Sequence, residues 1–395
     1  MNEKAPFALF RDDPAGRSLV FDRPKEIVMA RTAAEVLPAL RRLEEARLAG
    51  HWLAGYICYE TGYVFEDKLR HLIVDNRPTP LIAMGIFDHP SGNEHPLAGP
   101  PGKVVDDGSS EGSFLSEPRA MWDLATYQER FDRLHRHLRN GDCYQANLTM
   151  PVTARWHGDP LRAFWSLVAR QPVRYGAYID LGGASGDPVI LSRSPELFFS
   201  VDADRFIETH PMKGTAPRGA TGEEDEAIIA DMLADEKTLA ENRMIVDLLR
   251  NDISMISEVG TLSVPKLFEI ETYPTVHQMV SHVRAKLLPE IGFPEILSAL
   301  FPCGSITGAP KMWAMRILAD LEKAPRDVYC GAIGWCDPAG PMRFSVAIRT
   351  ITLFNDEKAV FNVGGGIVFD SKAEAEYDEC LLKARFAVGN QWISR

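Results

Sequence analysis

The sequence predicts an α+β protein built on large antiparallel sheets, and three observations carry that expectation. Residues 342–354, "MRFSVAIRTITLF", alternate strictly, with Phe344, Val346 and Ile348 on one face and Arg343, Ser345 and Arg349 on the other. A period of two is the mark of a strand with two different faces. Residues 188–215, "PVILSRSPELFFSVDADRFIETHPMKGT", read as two strands joined through a tight Asp-Ala-Asp turn, a hairpin. Helical segments lie between such strands without a regular βαβα rhythm, which favours α+β over a doubly wound parallel sheet.

In chain order, "TAAEVLPALRRLEEARLAG" has a helical pattern and "WLAGYICYE" reads as a strand. Residues 88–114, "DHPSGNEHPLAGPPGKVVDDGSSEGSF", are rich in Gly, Pro, Ser and charge and read as a linker. That linker divides an N-terminal subdomain, 1–115, from a main domain, 116–395, with both expected to pack into one α+β unit. "DLATYQERFDRLHRHLRNG" carries a Thr126-x-x-Glu129 capping box, apolar residues at 131, 134 and 138, and a terminal Gly141, so a helix is expected there. "TGEEDEAIIADMLADEKTLAENRMIVDLLRND" reads as helical from Thr221-x-x-Glu224, and "SKAEAEYDECLLKARFAV" as a last helix from Ser371-x-x-Glu374.

Composition narrows the function. The 395 residues are 45% hydrophobic and 25% charged, with a formal net charge of −12. An acidic chain is a poor partner for nucleic acid or an anionic membrane, both of which select basic patches. An anionic substrate would need locally placed Arg, Lys or a metal ion. The first 18 residues lack the zones of a secretory signal, and no apolar run approaches the ~18–20 residues that span a bilayer. The six cysteines are scattered without a CxxC pair, as expected of reduced thiols in a cytoplasmic protein.

Several constellations have chemical potential. A hairpin turn centred between Ala203 and Asp204 places Glu196 opposite Pro211, with Lys213 two residues further on the same face, roughly 7 Å away. A slip of one residue would separate them, and taken alone such a pair is more often a surface salt bridge. Glu241 precedes Met244, Ile245 and Leu248 at helical spacings, on an apolar stripe where a lone carboxylate is costly unless it lies at the stripe's edge and reaches water. Glu376, Glu379 and Lys383 share one helical stripe, either a solvated ladder or a pair of carboxylates able to hold Mg²⁺. No Cys/His cluster suggests zinc. "CGSITGAPK" is not a phosphate loop, since Lys311 comes three residues after Gly308. "NVGGGIVFDS" lets backbone approach a ligand closely, but it does not spell a dinucleotide fingerprint. Neither a GxSxG nor a GxCxG elbow occurs.

Ten ordered segments from about Tyr127 to Phe386 resemble the chorismate-utilising enzymes: "GDCYQANL", "SRSPELFF", "PMKGTAPRG", "AENRMIVDLLRNDIS", "YPTVHQMVS", "CGSITGAPKMWAMRIL", "YCGAIGW", "AIRT", "GGGIV" and "EAEYDECLLKAR". The resemblance implies a sandwich of two large antiparallel sheets wrapped by helices, with the substrate cleft between. Within the family, relatives that aminate chorismate at C2 carry alanine where Lys213 stands. "PMKGT" is similar instead to the aminodeoxychorismate synthase branch, where nitrogen enters at C4 on the route to p-aminobenzoate and folate. The N-terminal hundred residues resemble the family only loosely, and the LLES-type tryptophan-feedback motif of the C2-aminating branch is absent.

By that resemblance Lys213 is a nucleophile toward C2 of chorismate and Glu196 a general acid for the departing 4-hydroxyl. Glu241, Glu376 and Glu379 would hold Mg²⁺ against the ring carboxylate. Thr238 stands where some relatives place a further glutamate. Arg349, with the backbone of Gly364 and Gly366, would grip the pyruvyl carboxylate; Trp335 stands where relatives often have tyrosine. Gly214, Thr215, His277, Ser305, Ile348 and Lys383 match further pocket positions. With no glutaminase elbow in the chain, ammonia would come from solution or from a separate glutamine amidotransferase subunit. Anthranilate synthase component I and the isochorismate and salicylate synthases are the alternatives within the family.

Overall fold

The computed structural model describes residues 5–100, 114–182, 186–273 and 276–389. Of the expected linker, residues 101–113 lie outside the described residues.

Two antiparallel sheets form the frame. The first has nine strands among the described residues. Its order is Gly308–Ala309 (β15), Gln145–Trp156 (β7), Lys358–Ile367 (β19), Thr350–Leu353 (β18), Val189–Ser194 (β9), Tyr175–Asp180 (β8), Phe7–Asp12 (β1) and Arg17–Asp22 (β2), with Leu115–Ala120 (β6) also on β7. The second has ten. It runs Met212–Pro217 (β12), Val276–Lys286 (β14), Phe206–Thr209 (β11), Leu197–Val201 (β10), Met342–Val346 (β17), Ala332–Cys336 (β16), Trp52–Ile57 (β4), Ile82–Phe87 (β5) and Glu26–Ala30 (β3), with Ser263–Thr272 (β13) along the other edge of β14.

Alternation along the strands divides the interior into three apolar layers. In β4, Ala54 and Tyr56 point between the sheets, while Leu53 and Ile57 point to the opposite face. In β8, Ala177 and Ile179 point inward and Tyr178 outward. Helices Ala33–Leu48 (α1), Glu236–Ser254 (α5) and Phe293–Leu300 (α6) cover the outer face of the second sheet through Leu40, Leu249 and Phe293. Leu124–Asn140 (α2), Pro160–Arg170 (α3), Lys311–Glu322 (α7) and Ala373–Val388 (α8) cover the first through Leu134, Phe164, Leu318 and Tyr377. The expected α+β sandwich wrapped by helices is therefore present. The described part of residues 1–115 does not stand apart, because β1 and β2 extend the first sheet while β3, β4 and β5 extend the second.

Four local expectations need correction. The alternating run 342–354 is not one strand: β17 belongs to the second sheet and β18 to the first. The chain changes sheets at Ala347–Arg349, where Arg349 has φ 50°. The hairpin register is Ser200↔Glu208 and Val201↔Ile207, centred on Asp204 itself. Asp202 accepts from the N–H groups of Asp204 and Phe206, and Arg205 takes φ 65°, adding one residue to the turn. Residues 221–252 form two helices, Gly222–Ala234 (α4) and α5, because Asp235 leaves helical geometry and caps Lys237 N–H. Thr221 does cap α4 by accepting from Glu224 N–H. The remaining correction concerns the other two caps: Asp123, not Thr126, caps α2, and Lys372 holds the N-cap position of α8 next to Ser371.

Candidate active site

The strand change at Arg349 matters because the predicted residues gather where the two sheets come together. Lys213 projects from β12 in the second sheet. Glu196 lies at the entry to β10, where the ladder to β17 shifts register. Its backbone carbonyl accepts from Val346 N–H at 3.1 Å. The pair does not meet as a hairpin diagonal, since β12 leaves that ladder to pair with β14. Glu196 and Lys213 nevertheless lie within each other's electrostatic reach.

Their surroundings set opposite protonation tendencies. Glu196 is 6% exposed, and burial pushes its carboxyl up to about 7, against the pull of Ser305, Lys213 and Arg349. Ser305 Oγ donates to Glu196 Oε1 at 2.7 Å. Lys213 is only half-buried as a residue, yet burial is the main influence lowering its ammonium pKa; Lys383 adds to it, and Glu241, Glu196 and Glu379 oppose it. Burial likewise lowers Arg349, opposed by Glu196. A carboxyl that keeps its proton beside an amine that tends to lose one is the arrangement acid–base and nucleophilic catalysis require.

The glycine run of β19 forms the floor. A Cβ on Gly366 would lie 2.5 Å from Gln145 Nε2 and 3.2 Å from Lys213 Nζ. One on Gly365 would lie 3.0 Å from Glu376 Oε2, and one on Gly364 would strike Leu148 O at 2.5 Å. Backbone without side chains is what allows the lysine and the carboxylates of α8 to approach this strand. Lys383 Nζ donates to Gly364 O at 2.8 Å and pairs with Glu379 at 2.7 Å.

The loop bearing Ser305 is anchored from below. Arg326, 2% exposed, pairs with Glu322 at 2.8 Å and donates to Ile306 O at 3.0 Å and Asn147 O at 2.6 Å. Lys311 ties Asp252 at 2.6 Å to Leu300 O at 2.9 Å, a structural role consistent with its not being a phosphate-loop lysine.

The other predicted residues divide. Glu241 on α5 is half-buried beside the fully buried Ile245, and Glu376 is half-buried on α8, accepting from Ser371 Oγ at 2.7 Å. Glu379 is half-exposed and held by Lys383. These three do not rank as a tight cluster: among the described residues, the only three His, Cys, Asp or Glu groups with donor atoms within 4.8 Å of one another are Glu269, Glu271 and His282. Their all-oxygen donor set nevertheless suits a hard ion that keeps waters and substrate oxygens as ligands. Thr238 does not supply a further free oxygen, because its hydroxyl donates to Asp235 at 2.5 Å and its methyl faces Gly214. Gly214 itself takes φ 85°. Ile348 packs against the core beyond the second sheet, one residue before Arg349.

Two predicted pocket residues have their partners elsewhere. His277 has both ring nitrogens engaged, with Thr272 Oγ1 at 2.9 Å and Asp225 Oδ1 at 2.8 Å, so it braces β14 against α4. Its neighbour Gln278, on the opposite face of β14, donates to Gly214 O at 2.9 Å and accepts from Thr215 Oγ1 at 2.8 Å. Trp335 points between the sheets, 5.7 Å from the ring of Trp52, and lines a cavity of about 560 Å³ with Arg174, Tyr175 and Arg343. That cavity contains none of Lys213, Glu196 or Arg349. Gln145 was missed by sequence reasoning. It is 1% exposed, reaches the space over Gly366, and leaves its Oε1 without a hydrogen-bond partner among the described residues. Its position inside "GDCYQANL" was the only signal.

The profile of the family described as chorismate binding enzyme matches residues 5–389, and the chain belongs to that family. It is 42% identical over 262 residues to "Aminodeoxychorismate synthase" of Streptomyces pristinaespiralis, covering 66% of this chain and 36% of that one. It is 41% identical over 271 residues to "Aminodeoxychorismate synthase component 1" of Klebsiella aerogenes, covering 69% and 59%. "Anthranilate synthase component 1" of Methanothermobacter marburgensis matches at 40% over 275 residues, covering 70% and 57%. In these three the match spans between about a third and three-fifths of the relative's length. Among solved structures, anthranilate synthase component I from Streptococcus pneumoniae superimposes with a TM-score of 0.76 at 26% identity, covering 98% of this chain and 90% of that one.

Proposed function

We propose that the chain catalyses the amination of chorismate to 4-amino-4-deoxychorismate. The observation that carries this reading is the pairing of Lys213, driven toward its neutral amine by burial, with Glu196, whose carboxyl keeps its proton up to about pH 7. The Lys213 amine forms a bond to ring C2, both ring double bonds shift around the C1–C6–C5 side, and the C4–O bond breaks. Glu196 gives its proton to the leaving hydroxide, which departs as water. Ammonia then bonds to C4, both double bonds return, and the C2–N bond to Lys213 breaks. The proton released from ammonia restores Glu196. The amine must be neutral to attack and the acid protonated to assist, so the two perturbations serve one turnover.

Arg349 suits the pyruvyl carboxylate through bidentate pairing, with Gly364 and Gly366 offering backbone at close approach. Glu241, Glu376 and Glu379 are the residues to hold Mg²⁺, which when bound would neutralise the ring carboxylate. Ammonia would be delivered by a separate glutamine amidotransferase subunit, or supplied as ammonium in the assay.

The relative named anthranilate synthase component 1, at 40% identity, keeps amination at C2 as the second reading. The test is incubation with chorismate, Mg²⁺ and ammonium near neutral pH, where Glu196 still holds its proton, followed by a lyase that converts aminodeoxychorismate to p-aminobenzoate. p-Aminobenzoate should appear only after the lyase is added, and Lys213→Ala should abolish it. Anthranilate fluorescence without the lyase, or full activity in Lys213→Ala, would sink the proposal.

A further inference from the structure

The outer strand β13 carries a side-chain cluster that this reaction does not use. Its ladder to β14 breaks register twice, between Ser263 and Lys266 and between Lys266 and Glu269. Within the second break Phe268 takes φ 59° while its N–H donates to Ser281 Oγ at 3.0 Å. Left-handed backbone at an aromatic residue is strained, and a bulge of this kind re-aims the side chains that follow it. Here it brings Glu269 and Glu271 to one side of the strand, toward His282 of β14.

One donor atom from each of these residues lies within 4.8 Å of the other two, and His282 Nε2 stands 3.7 Å from Glu269 Oε2. That is too long for a hydrogen bond. It is close to the ~3.4 Å that separates two ligand atoms on one tetrahedral ion with bonds of about 2.0–2.1 Å. His282 Nε2 is also buried from solvent without a hydrogen-bond partner among the described residues. A buried polar atom left this way is unfavourable unless something satisfies it. The His282 ring stacks on His210 with centroids 3.8 Å apart. Burial and that neighbour both lower its pKa, favouring the neutral form that ligates metals.

We propose that Glu269, Glu271 and His282 form a second cation site, for a divalent transition-type ion such as Zn²⁺, which clamps β13 to β14. One nitrogen and two carboxylate donors suit such an ion better than Mg²⁺ or Ca²⁺, which prefer all-oxygen sets. Three protein ligands leave the remaining coordination to water. The carboxylates have existing partners: Lys266 Nζ lies 2.8 Å from Glu269, and Glu271 accepts from the Tyr273 hydroxyl and lies 4.0 Å from Arg174. Lys266 is half-exposed and already holds Glu269, so the ion exchanges with an ammonium and binds less tightly than at a purely anionic site.

The test is titration of the full chain with Co²⁺ while excess Mg²⁺ occupies all-oxygen carboxylate sites. One equivalent should bind with the visible absorption of a low-coordinate ion, and Zn²⁺ should displace it and raise the Tm. His282→Gln and Glu269→Gln should each weaken binding at least about tenfold and remove the rise in Tm. Circular dichroism would establish that both variants are folded. Absence of stoichiometric Co²⁺ binding, or binding unchanged in both folded variants, would overturn the proposal and leave Lys266 as the counter-ion of the cluster.

Discussion

Replacing Glu196 with glutamine separates the thermodynamic cost of the proposed acid from its catalytic use. The folded-state pKa is about 7 against an ordinary 4.5, so the folded protein binds this proton more tightly than the unfolded chain does. The sign follows directly. Below about 4.5 both states are protonated and the group is neutral to stability. Between about 4.5 and 7 stability falls as pH rises, and above 7 the loss is complete. At about 1.36 kcal/mol per pH unit, the ionised carboxylate destabilises the fold by roughly 3 kcal/mol at pH 8. Glutamine copies the protonated acid and can still accept from Ser305, so Glu196→Gln should gain that stability at pH 8 and almost none at pH 4.5. Denaturant unfolding of both proteins at the two pH values measures it. The same variant should lose about 10²–10⁴-fold in turnover, as removal of a general acid does. Ser305→Ala removes a bond that lowers the Glu196 pKa, so the alkaline limb of kcat/KM should move to higher pH. Equal stability changes at both pH values for Glu196→Gln, or retained turnover, would refute the argument.

The other predictions concern the floor and the anchor of the site. Gly366→Ala places a methyl 2.5 Å from Gln145 Nε2 and 3.2 Å from Lys213 Nζ, and should abolish product formation while the far-UV spectrum stays unchanged. Arg326→Met leaves Glu322 buried without its partner and should cost about 3–5 kcal/mol in denaturant unfolding, with loss of activity as the Ser305 loop loosens.

The amount legible in the sequence varies with the range of the interaction that decides each feature. Layered sheets follow from alternation, and residues such as Phe344 and Val346 point where the pattern puts them. The same alternation continues through β17 and β18, so nothing local marks the change of sheet at Arg349. One extra residue in the Asp204 turn defeated the hairpin register, because its geometry depends on the Asp202 carboxylate and the backbone of Arg205. Lys213 and Glu196 still belong to one site, brought there by strands that pair elsewhere. His277 and Gln278 are adjacent in sequence and point to opposite faces, so one braces β14 against α4 while the other contacts Gly214, a division that only the strand's pairing reveals. Gln145 has no periodic signature, and only the glycine opposite it makes its position significant.

The change of sheet at Arg349 also has a consequence for how activity is acquired during folding. The site draws on residues from Gln145 to Lys383, carried by both sheets and by helices on both outer faces. No contiguous segment contains enough of it to work alone. Contacts this distant in sequence form slowly, because loop-closure entropy is lost before they are made. An intermediate with one sheet assembled would hold either Lys213 or the glycine floor, not both. Regained turnover therefore reports the docking of the two sheets, a step later than the recovery of secondary structure.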